Sequence, residues 1–280
     1  MSQVYQRSIK RTWTAHKNRI SPTHQNSLIL EPGFWEEYDP FLMLAEDWFQ
    51  RGSFDVHPHR GIETVTYVME GKLEHYDNTT SGKDELLPGD AQWMTAGRGV
   101  IHKEDPAIGE TVHSLQLWVN LPSGEKMTSP RYQNLRSSEM PVRKEEGATI
   151  RIFSGSSGDV KSDTKNVVPI TMVEMTVGPG VTVKQDLPGS YNGFLYVLEG
   201  EGLFGKEQTK AGERQGLWLG SAEDSELSEI AVTAVTPLRV LLYAGQPLRE
   251  PVFARGPFVM NTEEQIRQAY QDYRDGKFTQ

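Results

Sequence analysis

The chain has 280 residues, with 29 Lys and Arg against 38 Asp and Glu, for a formal charge of −9 and a pI near 5.4. The absence of cysteine excludes disulfides, Cys-ligated zinc, iron–sulfur clusters and a cysteine nucleophile. The acidic balance disfavours direct nucleic-acid binding, which needs a basic face. The first ten residues carry no apolar signal core and no run of about 18 apolar residues occurs, so no membrane span is expected and the expected location is the cytoplasm.

In chain order, the N-terminal stretch through residue 38 is polar, and its His16 and His24 are expected to be solvated. A β-rich run over 63–69, bounded by Gly61 and Gly71, reads as a strand. Pro88-Gly89-Asp90 marks a tight turn, and 115–121, closed by Pro122, reads as another strand. The polar stretch 123–147 reads as a connector, which places an N-terminal domain at 1–135 and a C-terminal domain at 136–280. Further strands are expected over 170–177, 194–198 and 238–244, with a turn at Pro179-Gly180. Near the end, Asn261 or Thr262 can cap a helix whose Ile266, Ala269, Tyr270 and Tyr273 form one apolar face; Gly276 would end it.

The halves repeat a pattern. Thr66-Tyr67-Val68-Met69-Glu70-Gly71 matches Leu195-Tyr196-Val197-Leu198-Glu199-Gly200, and each is followed by a second short segment and a glycine-bearing turn, Pro88-Gly89-Asp90 or Ala211-Gly212-Glu213. Two β domains of one architecture are expected.

All seven histidines fall at or before His113. In His57-Pro58-His59 the two rings share one face of a strand, with Cβ atoms roughly 7 Å apart, and can converge on one ion. His102-Lys103-Glu104 repeats the device with an imidazole and a carboxylate. If the two strands are neighbours, three nitrogens and one oxygen meet, a set suited to Fe, Cu, Ni, Mn or Zn. Glu63 is a rival for the oxygen ligand: four residues beyond His59 it also faces inward in an unbroken strand, unless Arg60-Gly61 breaks the parity. His75 and His113 read as ordinary strand histidines.

These motifs resemble the cupin superfamily, and more narrowly the pirin family. The resemblance is carried by Asp39-Pro40-Phe41-Leu42, His57-Pro58-His59-Arg60-Gly61, Glu63-Thr64-Val65-Thr66-Tyr67 and Gly97-Arg98-Gly99-Val100-Ile101-His102-Lys103-Glu104. Gln116-Leu117-Trp118-Val119-Asn120-Leu121-Pro122 and the tail from Gly256-Pro257-Phe258 to Asp272-Tyr273-Arg274 extend it. It implies an all-β bicupin: two β-barrel (jelly-roll) domains with a short C-terminal helix. It also implies metal ligands His57, His59, His102 and Glu104, Fe(II) as the first choice of ion with Cu, Ni or Mn as alternatives, and no metal in the second half, where Lys184-Gln185-Asp186 stands in the corresponding place.

The resemblance further implies a quercetin 2,3-dioxygenase-type enzyme that opens a flavonol ring with O2, with Glu104 as catalytic base. Phe54, Trp93, Met94 and Trp118 are candidate cavity walls. The alternative it implies is a metal- or redox-dependent regulatory protein that binds a transcription factor or a metabolic enzyme. A third reading is a metal-holding bicupin with another small-molecule reaction.

Overall fold

The computed structural model describes residues 4–77 and 83–279. Alternation of apolar and polar residues, punctuated by turns, makes strands of nearly every segment. The expected strands appear at Ile62–Glu70, Thr111–Asn120, Ile170–Val177, Asn192–Glu199 and Leu238–Gly245. The C-terminal helix spans Glu263–Arg274; Thr262 caps it in a reciprocal capping box with Gln265, and Ile266 and Ala269 are buried. No helix among the described residues is long and apolar enough to cross a membrane.

The chain folds as two compact units. One joins Lys17–Ser138 to the segment from Leu248 onward; the other joins Glu139–Pro247 to the N-terminal segment up to His16. A single break at 135/136 does not describe this division. The central break lies three residues later, and each terminal segment belongs with the other half of the chain.

The first unit holds strands β1 (Asn18–Ser21), β2 (His24–Leu30), β3 (Phe41–Gln50), β4 (His57–His59), β5 (Ile62–Glu70), β6 (Leu73–Asp77), β7 (Lys83–Leu86), β8 (Ala91–Thr95), β9 (Val100–Pro106), β10 (Thr111–Asn120) and β11 (Arg131–Leu135). They form a seven-stranded sheet, ordered β11-β8-β5-β10-β3-β2-β1, and a four-stranded sheet, ordered β4-β9-β6-β7. Phe49, Val68 and Val112 of the larger sheet bury against Leu73 and Leu86 of the smaller. This is the two-sheet, jelly-roll form of the expected barrel. Part of the stretch expected as a connector is structural: β11 adds an edge strand to the larger sheet, and the Lys126 side chain is buried.

The second unit has the same sheet order. Reading Ile9–Thr14, Gln215–Leu219, Asn192–Glu199, Leu238–Gly245, Ile170–Val177, Ala148–Ser154 and Val142–Glu145, its large sheet matches the first position by position. The N-terminal strand Ile9–Thr14 therefore takes the edge place that β11 holds in the first unit. The repeated Glu-Gly ending has a steric cause. Gly71 and Gly200 adopt φ of +76° and +81°, and a Cβ there would lie 2.4 Å from the Thr111 carbonyl oxygen and 2.0 Å from that of Pro237. In the second glycine-bearing turn the positive φ falls on Arg214 rather than on Gly212.

Buried Lys126 stitches the first unit together. Its Nζ donates to the carbonyls of Gly61 and Val259, at 2.9 and 3.0 Å, and to Asn120 Oδ1 at 2.5 Å. Burial pushes its ammonium down to about 7 from an ordinary 10.5. Lys126→Met should destabilise the fold by roughly 2–4 kcal/mol, because three buried acceptors lose their donor. Between about pH 7 and 10.5 the unfolded chain binds the extra proton, so native stability should rise with pH across that window. Urea unfolding of both proteins at pH 7 and 9.5 checks this; equal pH responses would refute it.

Candidate metal centre

β4 and β9 are antiparallel neighbours, with His102 directly opposite His57 and Val100 opposite His59. The even spacing in each strand turns all three imidazoles to one side. Their ring centroids lie 4.5 to 5.0 Å apart, and one nitrogen from each falls within 4.8 Å of the others. Among the described residues this is the group of three that could hold a metal ion.

The proton inventory of the rings fits a cation. His57 Nδ1 lies 2.8 Å from the Asp55 carbonyl oxygen. A carbonyl only accepts, so Nδ1 carries the hydrogen and Nε2 of the neutral ring is bare. That Nε2 faces His102 Nε2 at 3.0 Å. Two nitrogens bound at about 2.1 Å to one ion at right angles have this separation. His59 is buried, and neither of its nitrogens has a hydrogen-bond partner in good geometry. Burial and neighbouring His57 lower His59 to about 3, although the Pro257 carbonyl opposes the shift. Burial, then His59, His57 and His75, hold His102 well below its ordinary 6.5. Imidazoles that converge in this way are the donors a divalent transition ion needs.

Glu104 lines the same cavity as His57 and His59 but lies outside the 4.8 Å set. Thr66 Oγ1 donates to its Oε1 at 3.0 Å and Gln116 Nε2 to its Oε2 at 2.9 Å. Gln116 Oε1 in turn accepts from Trp118 Nε1 at 3.2 Å, which fixes the orientation of the amide. Trp118 meets the His59 ring edge-on, with centroids 5.1 Å apart.

Glu63 lies elsewhere. The chain leaves the small sheet at Arg60-Gly61 and enters the large one at Ile62. Gly61 has φ +80°, and a Cβ there would lie 1.9 Å from the Val259 carbonyl oxygen. Parity does not carry across this break. Glu63 is buried and accepts from Thr95 Oγ1 at 2.6 Å, and it is not on the cavity wall.

The cavity has a volume of about 290 Å³ and is lined by Phe49, Phe54, Trp118 and Leu28 beside polar groups. Depressions of about 680 and 780 Å³ beside the C-terminal helix and beside Trp35 contain no histidine. Of the four candidate walls, Phe54 and Trp118 line the cavity, whereas Trp93 and Met94 are buried in the core. His24 is not solvated: it is buried, bonds Asp47 and lines the cavity. His75 is more than a strand residue, because its Nε2 lies 3.1 Å from His102 Nδ1. Both depended on strand register, which no local motif announces. His113 bonds Glu46 at 2.8 Å, away from the cavity.

In the second unit the corresponding strands are Thr182–Pro188 and Leu227–Ala234. Val183, Leu187, Ile230 and Val232 fill the space between its sheets. Gln185 is buried against Ser157 and the Ser156 carbonyl, and Lys184 pairs with Glu229.

Two family models match this chain: Pirin over residues 15–119, and the Pirin C-terminal cupin domain over residues 172–279. A pirin-like protein of Solanum lycopersicum is 43% identical over 244 residues, which cover 86% of this chain and 82% of that protein. The crystal structure of GK1651 from Geobacillus kaustophilus superposes with a TM-score of 0.88 at 64% identity, covering 89% of this chain and all of that one. A quercetin 2,3-dioxygenase structure from Acinetobacter baumannii superposes with a TM-score of 0.84 at 28% identity, covering 97% and 98% of the two chains. With models matched in both halves and a curated relative this close, the chain belongs to the pirin family.

Proposed function

We propose that the chain is a metal-dependent dioxygenase that opens the ring of a flavonol-type substrate with O2 and releases carbon monoxide. The observation that carries this reading is the meeting of three imidazoles beside an aromatic-walled cavity that also holds the Glu104 carboxylate. The similarity to a quercetin 2,3-dioxygenase supports it. His57, His59 and His102 would hold the ion, with Glu104 as the fourth ligand and Fe(II) as the first choice. The bound ion would supply Lewis acidity and a path for electrons between substrate and O2.

The remaining work falls to the chain. Phe49, Phe54 and Trp118 enclose a planar aromatic ligand and exclude water. Glu104 takes the proton of the substrate hydroxyl. Its carboxylate is available for this because Thr66 and Gln116 both donate to it, and neither competes for a proton. Gln116 and Trp118 are positioning residues that keep the carboxylate aimed into the cavity.

Protein loaded separately with Fe(II), Cu(II), Mn(II) or Ni(II) should consume quercetin and release carbon monoxide with at least one of these ions. His57→Ala/His102→Ala should lose both the metal and the turnover. A fully loaded protein without turnover would overturn the enzyme reading and favour a redox-dependent binding protein. Glu104→Gln should keep the ion on its three histidines while kcat falls by roughly 10²-fold or more. Metal retention with full turnover in this variant would remove Glu104 from the proton transfer.

A further inference from the structure

The cavity has a second polar corner that the proposed chemistry leaves unused. His24 and Asn26 project into it from β2 and Asp47 from β3, on the sheet that does not carry His57, His59 and His102. His24 stands opposite Phe49 and Asn26 opposite Asp47. The His24 ring therefore reaches diagonally to Asp47, and its Nε2 lies 2.7 Å from Oδ1. The two side chains are only 10% and 12% exposed. Phe49 and Phe54 meet the ring edge-on, with centroids at 6.3 and 4.9 Å, and hold it in place.

The polarity of this pair follows from its partner. A carboxylate accepts, so the neutral ring carries its hydrogen on Nε2 and offers a lone pair on Nδ1. No described residue donates to that Nδ1. A ring locked in this tautomer accepts a hydrogen bond from a ligand O–H and gives nothing to an ether or a carbonyl oxygen.

We propose that His24, positioned by Asp47, is a specificity determinant that selects substrates bearing a phenolic hydroxyl remote from the one used at the metal centre. This rests on the reading of the cavity as a flavonol site. His24 touches the ligand, and Asp47 acts through His24.

Quercetin and its 3′, 4′, 5 and 7 mono-methyl ethers test the proposal. Their affinities are measured by tryptophan quenching, under argon, on the Fe(II)-loaded protein. In the wild type, one ether should bind about tenfold or more weakly than quercetin. His24→Phe should shrink that penalty below about threefold and leave the others unchanged. Asp47→Asn releases the tautomer lock, because an amide can donate as well as accept, and should reduce the same penalty. Identical penalty patterns in the wild type and His24→Phe would overturn the proposal, as would a wild type that binds no flavonol. A His24-dependent penalty without turnover in O2 would support the specificity site and remove the dioxygenase reading. Turnover with His24-independent affinities would do the reverse.

Discussion

Three imidazole rings face one another across two paired strands, with one nitrogen of each within 4.8 Å of the others. His57 Nε2 and His102 Nε2 stand 3.0 Å apart, and both nitrogens of buried His59 lack a hydrogen-bond partner in good geometry. The set offers the donors that a cation site needs, and the rest of the first unit holds it. Arg60, between the histidine pair and Gly61, is buried. It donates to Asp272 Oδ2 at 2.6 Å and to the Phe278 carbonyl at 3.0 Å, and lies over the Phe278 ring. Lys126 holds the Gly61 carbonyl. The C-terminal segment thus works as a strap that fixes the turn after His59.

This explains why the strand that bears His57 and His59 is only three residues long. β4 must end where the chain crosses from the small sheet to the large one, and Gly61 permits the crossing by a close approach to Val259. The same crossing separates Glu63 from the histidines, whereas Glu104 lines the cavity beside His57 and His59. The second unit repeats the strand order yet fills the equivalent space with valine, leucine and isoleucine. One architecture thus supports a polar site in one copy and an apolar core in the other.

Much of this was legible in the sequence because it is local. Strand periodicity located the central strands, a capping box located the helix, and the i, i+2 spacing put His57 with His59, and His102 with Glu104, on one face of each strand. The illegible features depend on pairing between distant segments. Ile9–Thr14 joins the sheet of the second unit through Gln215–Leu219, some 200 residues away, and nothing in its own pattern names that partner. His24 looked like a solvated residue in a polar stretch, because its burial comes from Asp47 and two phenylalanines brought by register. Parity left Glu63 and Glu104 open as rivals, because only the fold shows that the chain changes sheets at Gly61.

The central claim is that His57, His59 and His102 hold a metal ion. The most direct measurement is anomalous diffraction at the metal edge on crystals of the Fe(II)-loaded protein. The account predicts one strong peak in the first unit, roughly 2.0–2.2 Å from a nitrogen of each of the three histidines, and none between the sheets of the second. A peak elsewhere, or loaded protein whose three rings remain unliganded, would contradict it.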